Sequence, residues 1–197
     1  MAATAAAVRF RFDAINHEYV ALDTGETLPH ITGMLEDAGV VDSTWFTEES
    51  CARGSLVHQL TADYDLGALD VESCVSRWRG YLLGHVQAVT IAKPRWLSVE
   101  IPLVHPVYRF GGRPDRECVA WGLRGVWEIK SGAAHDAHRI QTALQAMLVG
   151  AETGLPPETL ARFCCYVKDK GKFKLEEHRD RRDFDEARRI IRRCCGR

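Results

Sequence analysis

The chain has 197 residues, 46% of them hydrophobic and 27% charged, with a formal net charge of -1. That length and composition support one substantial core and one domain over residues 1–197. No apolar run reaches the roughly 18 residues of a membrane helix, and the alanine-rich start over residues 1–7 lacks the order of an export signal. The expectation is a cytoplasmic protein with no membrane partner. Seven cysteines, odd in number and including the adjacent pairs Cys164-Cys165 and Cys194-Cys195, fit reduced thiols used for packing. Charge is unevenly spread: residues 161–197 carry 13 Lys+Arg against 7 Asp+Glu, whereas residues 1–160 carry 13 against 20. Such a basic segment is either a solvated helix face or a set of phosphate contacts.

Apolar and polar residues alternate through Val8-Arg9-Phe10-Arg11-Phe12 and again from His17 to Leu22, which predicts an N-terminal β-hairpin. After Pro29 a short helix is expected over 31–38, ending at Gly39. Thr47 with Glu48 and Glu49 then caps a second helix that carries Gly54 and His58. Val71, Val75, Trp78, Leu82, Val86 and Val89 predict a long amphipathic helix from Asp70 to Thr90, with Trp78 in packing. Beyond Pro94 come apolar runs over 96–104, 107–112 (leading into Asp115) and 125–130, expected as consecutive strands of one sheet. A helix over 136–150 has Ile140, Leu144, Met147 and Leu148 on its stripe and closes at Gly150. Runs over 162–167 and 172–175 flank Asp169-Lys170-Gly171, which predicts a C-terminal hairpin, and a basic helix over 184–193 follows. Without repeats, low-complexity tracts or long linkers, the pattern is that of an α/β domain.

Two stretches carry the chemistry. In Gly111-Gly112-Arg113-Pro114-Asp115 the glycines allow close approach of backbone or ligand, and Asp115 is expected where a strand ends, its carboxylate facing outward. In Val126-Trp127-Glu128-Ile129-Lys130 strand alternation turns Glu128 and Lys130 to one face and Ile129 to the core. Alone, such a pair is an ordinary surface salt pair. Here the strand is apolar and its neighbour brings Asp115 close, so the two carboxylates would repel unless a cation lay between them. Oxygen ligands suit Mg2+ or Mn2+, which polarises a phosphodiester and lowers the pKa of a water. Lys130 could orient that water or neutralise charge developing on the phosphate.

Together the two stretches resemble the signature of the PD-(D/E)XK nuclease superfamily, with a literal Pro-Asp at 114–115 and Glu-Ile-Lys at 128–130. Gly54-Ser55-Leu56-Val57-His58 resembles the G-x-x-x-H motif of the RecB-like branch, whose histidine is a further metal ligand. Glu100 is similar to the acidic residue which that branch carries on the strand before the aspartate; the competing reading is a salt-bridged strand acid. Residues 138–145 resemble the Q-x-x-x-Y helix, with Gln141 at the glutamine position and Gln145 where tyrosine is usual. Both glutamines fall on one helix face, opposite the apolar stripe. The resemblance covers residues 28–185, and the hairpin around Lys168-Asp169-Lys170-Gly171-Lys172 is similar to that of phage- and prophage-encoded members.

The resemblance implies a restriction-endonuclease-like core: a mixed central β-sheet flanked by helices, with β-hairpins at both ends of the chain. It implies His58, Asp115, Glu128 and the Ile129 carbonyl around Mg2+ or Mn2+, with Asp115, Glu128, Lys130, Gln141 and Glu100 as catalytic residues. DNA would lie across this cleft. Lys170, Lys172, Lys174, Arg181, Arg182, Arg188 and Arg189 would meet its phosphates, with an affinity that falls as salt rises. The implied activity is that of an exonuclease on single- or double-stranded DNA ends in phage or prophage recombination or repair, inside a bacterial host cell. A homo-oligomer and a recombination partner protein are compatible with it. The alternatives are a structure-specific or restriction-type endonuclease, a catalytically silent DNA-binding module, and a metal enzyme acting on a small phosphoester. No iron-sulfur cluster is expected, since the cysteine spacing of cluster-bearing relatives has no counterpart here.

Overall fold

The computed structural model describes residues 8–42, 46–74 and 77–196; the alanine-rich start and Val75 of the expected stripe lie outside the described residues. The N-terminal hairpin pairs β1 (Phe10–Asp13) with β2 (Glu18–Ala21), and β3 (Thr27–Leu28) adds a third strand. Asp13 shapes the turn by accepting the N–H groups of Ile15 and Asn16. Next comes α1 (Ile31–Asp37), followed at Gly39 by a φ of 71°, the left-handed conformation that glycine adopts without a steric penalty. α2 (Glu48–Asp65) starts at a capping box, in which Thr47 and Ser50 each accept the other's N–H on a side-chain oxygen.

α3 (Arg79–Ala92) begins at Arg79 rather than Asp70. Asp70 makes a turn instead: its carboxylate accepts the Glu72 N–H and its carbonyl accepts the Ser73 hydroxyl, local bonds that compete with helix formation. The run expected as one strand over 96–104 divides at Glu100 into β4 (Arg95–Val99) and β5 (Leu103–Val104). The next run is mostly a turn, because the His105 ring accepts the N–H groups of Val107 and Tyr108. Only β6 (Gly111–Gly112) remains of it as strand, paired with β5 outside the central sheet. Asp115 therefore stands just before a strand rather than at the end of one: β7 (Arg116–Ala120) follows it and turns at Trp121-Gly122 into β8 (Leu123–Lys130).

α4 (Ala137–Thr153) runs past Gly150 and stops at Gly154, whose φ is 73°. Gly150 has a packing role, since a Cβ there would lie 2.7 Å from the Leu155 carbonyl oxygen. β9 (Ala161–Val167) and β10 (Phe173–Glu177) form the expected C-terminal hairpin, and α5 (Arg182–Cys195) follows. Five strands make the central sheet in the order β10-β9-β8-β7-β4. It is mixed, because β8 and β9 run parallel while the other pairs are antiparallel. A parallel pair needs a crossover, which α4 supplies.

Helices cover both faces of this sheet. Val126 packs with Ile140 and Leu144 of α4 and Phe184 and Ile191 of α5, whereas Trp127, Ile129 and Phe163 pack with Val57 of α2 and Ala88 of α3. The fold is thus mixed α+β. Among the described residues no helix is long and apolar enough to cross a membrane. All seven cysteines are free thiols; Cys118, Cys164 and Cys165 are buried, but Cys51 is exposed and so departs from the expected packing role.

α3 receives the β9–β10 turn through Gly80 and Gly84: a Cβ at Gly80 would lie 1.5 Å from the Asp169 carbonyl oxygen, and one at Gly84 2.6 Å from that of Lys172. Gly80→Ala should therefore destabilise the fold by about 2 kcal/mol or more. Gly54→Ala on α2, where a Cβ meets nothing within 4 Å, should instead stabilise it by up to about 1 kcal/mol. Urea unfolding of the two variants checks both signs.

Candidate metal centre

Three segments meet at one end of the sheet: His58 on α2, Glu100 just after β4 and Asp115 just before β7. His58 Nδ1 lies 3.2 Å from Asp115 Oδ1 and 3.7 Å from Glu100 Oε1. One ligand atom from each residue falls within 4.8 Å of the others, and this is the single such group among the described residues. Glu100 reaches it through a local distortion. The β4–β7 ladder shifts register between Trp96 and Ser98, and Glu100 itself has a φ of 52°, which costs about 1–2 kcal/mol for a residue with a side chain. Its N–H still bonds the Asp115 carbonyl at 2.9 Å, so the carboxylate turns toward His58 while the backbone stays docked.

Asp115 is 5% exposed, and its second oxygen, Oδ2, accepts the Ile129 N–H at 2.7 Å. Ile129 thus enters the site through its N–H. Glu128, 1% exposed, stands beside the group of three with its carboxylate fully engaged. Oε1 accepts Lys130 Nζ at 2.6 Å and Gln141 Nε2 at 2.7 Å, and Oε2 accepts Gln145 Nε2 at 2.6 Å. Gln145, at the position where tyrosine is usual, therefore shares with Gln141 the task of holding Glu128. These are charge-assisted bonds, about twice as strong as neutral ones. The Gln145 Oε1 atom is buried and has no partner among the described residues.

Whether these residues fit a divalent cation can be judged from the donor set. The two carboxylates suit Mg2+ or Mn2+, and the imidazole nitrogen, a donor for transition metals, favours Mn2+ of the two. Gly54, one turn before His58, leaves open space on the cleft wall, and the unpaired Gln145 oxygen adds an acceptor beside the site. The set fits. Burial alone would push the His58 imidazole down, but the charge of Asp115 and hydrogen bonds to Asp115 and Glu100 outweigh it and raise it to about 10. The two carboxylates thus favour the charged form of the imidazole between them. Lys130 behaves alike: burial lowers it, yet Glu128 and Asp115 together hold the ammonium above its ordinary value.

Two arginines absent from the expected set belong to this site. Arg113 Nε lies 3.0 Å from Glu100 Oε2, and the Arg116 guanidinium is fully buried behind the three ligands. Their place beside Asp115 was the only signal in the sequence. The residues expected to contact DNA divide into two groups. The β9–β10 turn, with Lys170 and Lys172, lies at the same end of the sheet as Lys130, since Lys130 pairs with Tyr166 and Lys168 Nζ bonds the Gly132 carbonyl at 2.7 Å. Neither Lys170 nor Lys172 forms an ion pair among the described residues. Lys174 pairs with Glu176, Arg182 with Asp180, Arg188 with Glu158 and Arg189 with Glu186. Arg181 lies by Leu123, at the far end of β8, about 23 Å away at about 3.3 Å per residue.

No family model matches the chain, and no curated protein shows significant similarity to it. The geometry therefore carries the functional reading. Because His58 is raised from 6.5 to about 10, its contribution to stability is present in full below about pH 6.5 and is lost as pH rises through about 10. The ion-free protein should accordingly weaken on raising the pH across that window, and His58→Ala should flatten the slope, as measured by urea titrations in the presence of a chelator.

Proposed function

We propose that the chain is a metal-dependent nuclease of the PD-(D/E)XK type that hydrolyses DNA phosphodiester bonds, acting from DNA ends. The observation that carries this reading is the meeting of His58, Glu100 and Asp115 beside the Glu128–Lys130 pair, in an open cleft of about 860 Å³. Perturbed charged groups converging in a cleft mark functional sites. Action on ends rests on the resemblance of the His58 segment to the RecB-like motif, and the phage setting, with a bacterial host cell, also on the likeness of the 168–172 hairpin to that of phage- and prophage-encoded members.

Bound there, Mg2+ or Mn2+ would polarise a phosphodiester and lower the pKa of a water. His58 Nδ1, Asp115 Oδ1 and the Glu100 carboxylate supply the ligands, and the Ile129 N–H keeps Asp115 in one orientation. Lys130 Nζ, held on Glu128, faces the cleft, where it neutralises charge developing on the phosphate and orients the attacking water. Gln141 and Gln145 fix Glu128, and through it the place of the ammonium.

With Mg2+, linear DNA should be degraded while covalently closed circles stay intact; cleavage of circles would favour the endonuclease alternative. Lys130→Ala should lower the rate roughly a hundredfold or more while DNA binding persists. Equal digestion by variant and parent would sink the mechanism, and an inactive parent that still binds DNA would point to the silent module.

Lys170 and Lys172, which form no ion pair among the described residues, are better phosphate contacts than the paired arginines of α5. Reversing Lys170 and Lys172 to Glu should weaken DNA binding by about tenfold or more and reduce the salt slope by about 2. Arg188→Ala with Arg189→Ala should change it by less than about twofold. Fluorescence anisotropy at several salt concentrations separates the two outcomes.

A further inference from the structure

Arg116 is a charged side chain with no access to solvent, on the strand that follows Asp115. A guanidinium buried this deeply is tolerated only when its donors are matched, and removing a partner from such a site is costly. Its bonds run to each segment that presents a ligand. Arg116 Nη1 donates to the Asp115 carbonyl at 2.6 Å and lies 3.5 Å from Glu100 Oε1, the same oxygen that faces His58. Nη2 donates to the Thr61 hydroxyl at 3.3 Å, and that hydroxyl donates in turn to the His58 carbonyl at 2.9 Å. One planar fork therefore touches α2, the residue after β4 and the residue before β7.

The fork is itself held from behind. Arg116 Nε donates to Asp65 Oδ2 at 2.6 Å, and Asp65, also fully buried, bonds His85 Nε2 of α3 at 2.9 Å. The His85 ring stacks on Trp96 of β4, with 6.4 Å between centroids and 11° between planes, and the Arg116 guanidinium lies over the same indole at 6.0 Å. His85 Nδ1 has no partner among the described residues, so the ring is held by the Asp65 bond and by stacking. Asp65 Oδ2 thus meets both Arg116 Nε and His85 Nε2, and its Oδ1 lies 3.0 Å from the same imidazole nitrogen.

We infer that Arg116 is the positioning residue of the metal centre, setting the mutual placement of His58, Glu100 and Asp115, with Asp65 and His85 as its buttress. The inference rests on the metal-site reading proposed above. It assigns to the Arg116–Asp65–His85 chain a role in cation affinity that a merely structural ion pair would not have. Lysine cannot replace it, because an ammonium keeps the charge but cannot reach several elements in one plane.

The test is Mn2+ binding, followed by the paramagnetic resonance signal of free Mn2+ on protein shown to be folded by circular dichroism. Arg116→Met and Arg116→Lys should each weaken binding by about tenfold or more, the range found when groups supporting metal ligands are removed. Asp65→Asn and His85→Phe, which conserve shape, should give smaller losses in the same direction and decide the matter if the Arg116 variants do not fold. The control is Arg162→Met, which breaks another buried arginine–aspartate pair, Arg162–Asp183 at 2.9 Å, and should leave the affinity within about twofold. Parent-like affinity in the folded Arg116 variants, or in both buttress variants should those not fold, overturns the inference. So does an equal loss in the Arg162 control. A parent that binds no Mn2+, or binds it unchanged after Asp115→Asn, overturns the metal-site reading itself, and the inference falls with it.

Discussion

Asp65, Glu100, Asp115 and Glu128 are drawn together at one end of the sheet with little or no access to water. Their mutual repulsion and lost hydration are the constraint around which the rest of the molecule is arranged, since an unpaired buried carboxylate costs several kcal/mol. Each is offset differently. Asp65 has a guanidinium and an imidazole, and Glu100 has Arg113 and Arg116. Asp115 has a backbone N–H and His58, and Glu128 has one ammonium and two amides. What distinguishes Glu100 and Asp115 is that each leaves an oxygen facing the His58 imidazole.

That asymmetry separates the site from other buried charges in the protein. Asp183, 1% exposed, is ion-paired with Arg139 at 2.6 Å and Arg162 at 2.9 Å, and the three join α5 to α4 and β9. There one carboxylate meets two guanidiniums, so no negative charge is left over, and the cluster serves packing. At the end of the sheet that holds His58, Glu100 and Asp115, carboxylates outnumber the arginines around them, and they hold the His58 imidazole and the Lys130 ammonium above their ordinary values.

Much of this was legible in the sequence because it depends on local periodicity. Strand alternation is enough to put Glu128 and Lys130 on one face, and helical spacing is enough to stack Gln141 under Gln145. The capping residue Thr47 is read from its own few neighbours. What escaped depends on distant partners. β7 has too little apolar character to announce itself as Arg-Glu-Cys-Val-Ala, and it is a strand because β4 and β8 flank it. Arg116 meets Asp65 across 51 positions of chain, a separation at which sequence pattern has nothing to say. The left-handed Glu100 breaks a run that hydrophobicity alone reads as continuous. Gly150 and Gly154 are equally good helix terminators by type, and only the close approach of Leu155 shows which of them is occupied with packing.

The crossover has a consequence for how the chain can change length. Glu128 sits on an element with a repeat of two residues, whereas the glutamines that grip it sit on one with a repeat of 3.6. Deleting one residue from β8 upstream of Glu128 would exchange the faces of Glu128 and Ile129. Inserting one into α4 ahead of Gln141 would swing both amides by about 100° around the helix axis. The connector over residues 131–136 has no such phase to keep. Length variation between the two halves of the clamp is therefore confined to that short loop, which acts as the joint between two incommensurate rulers.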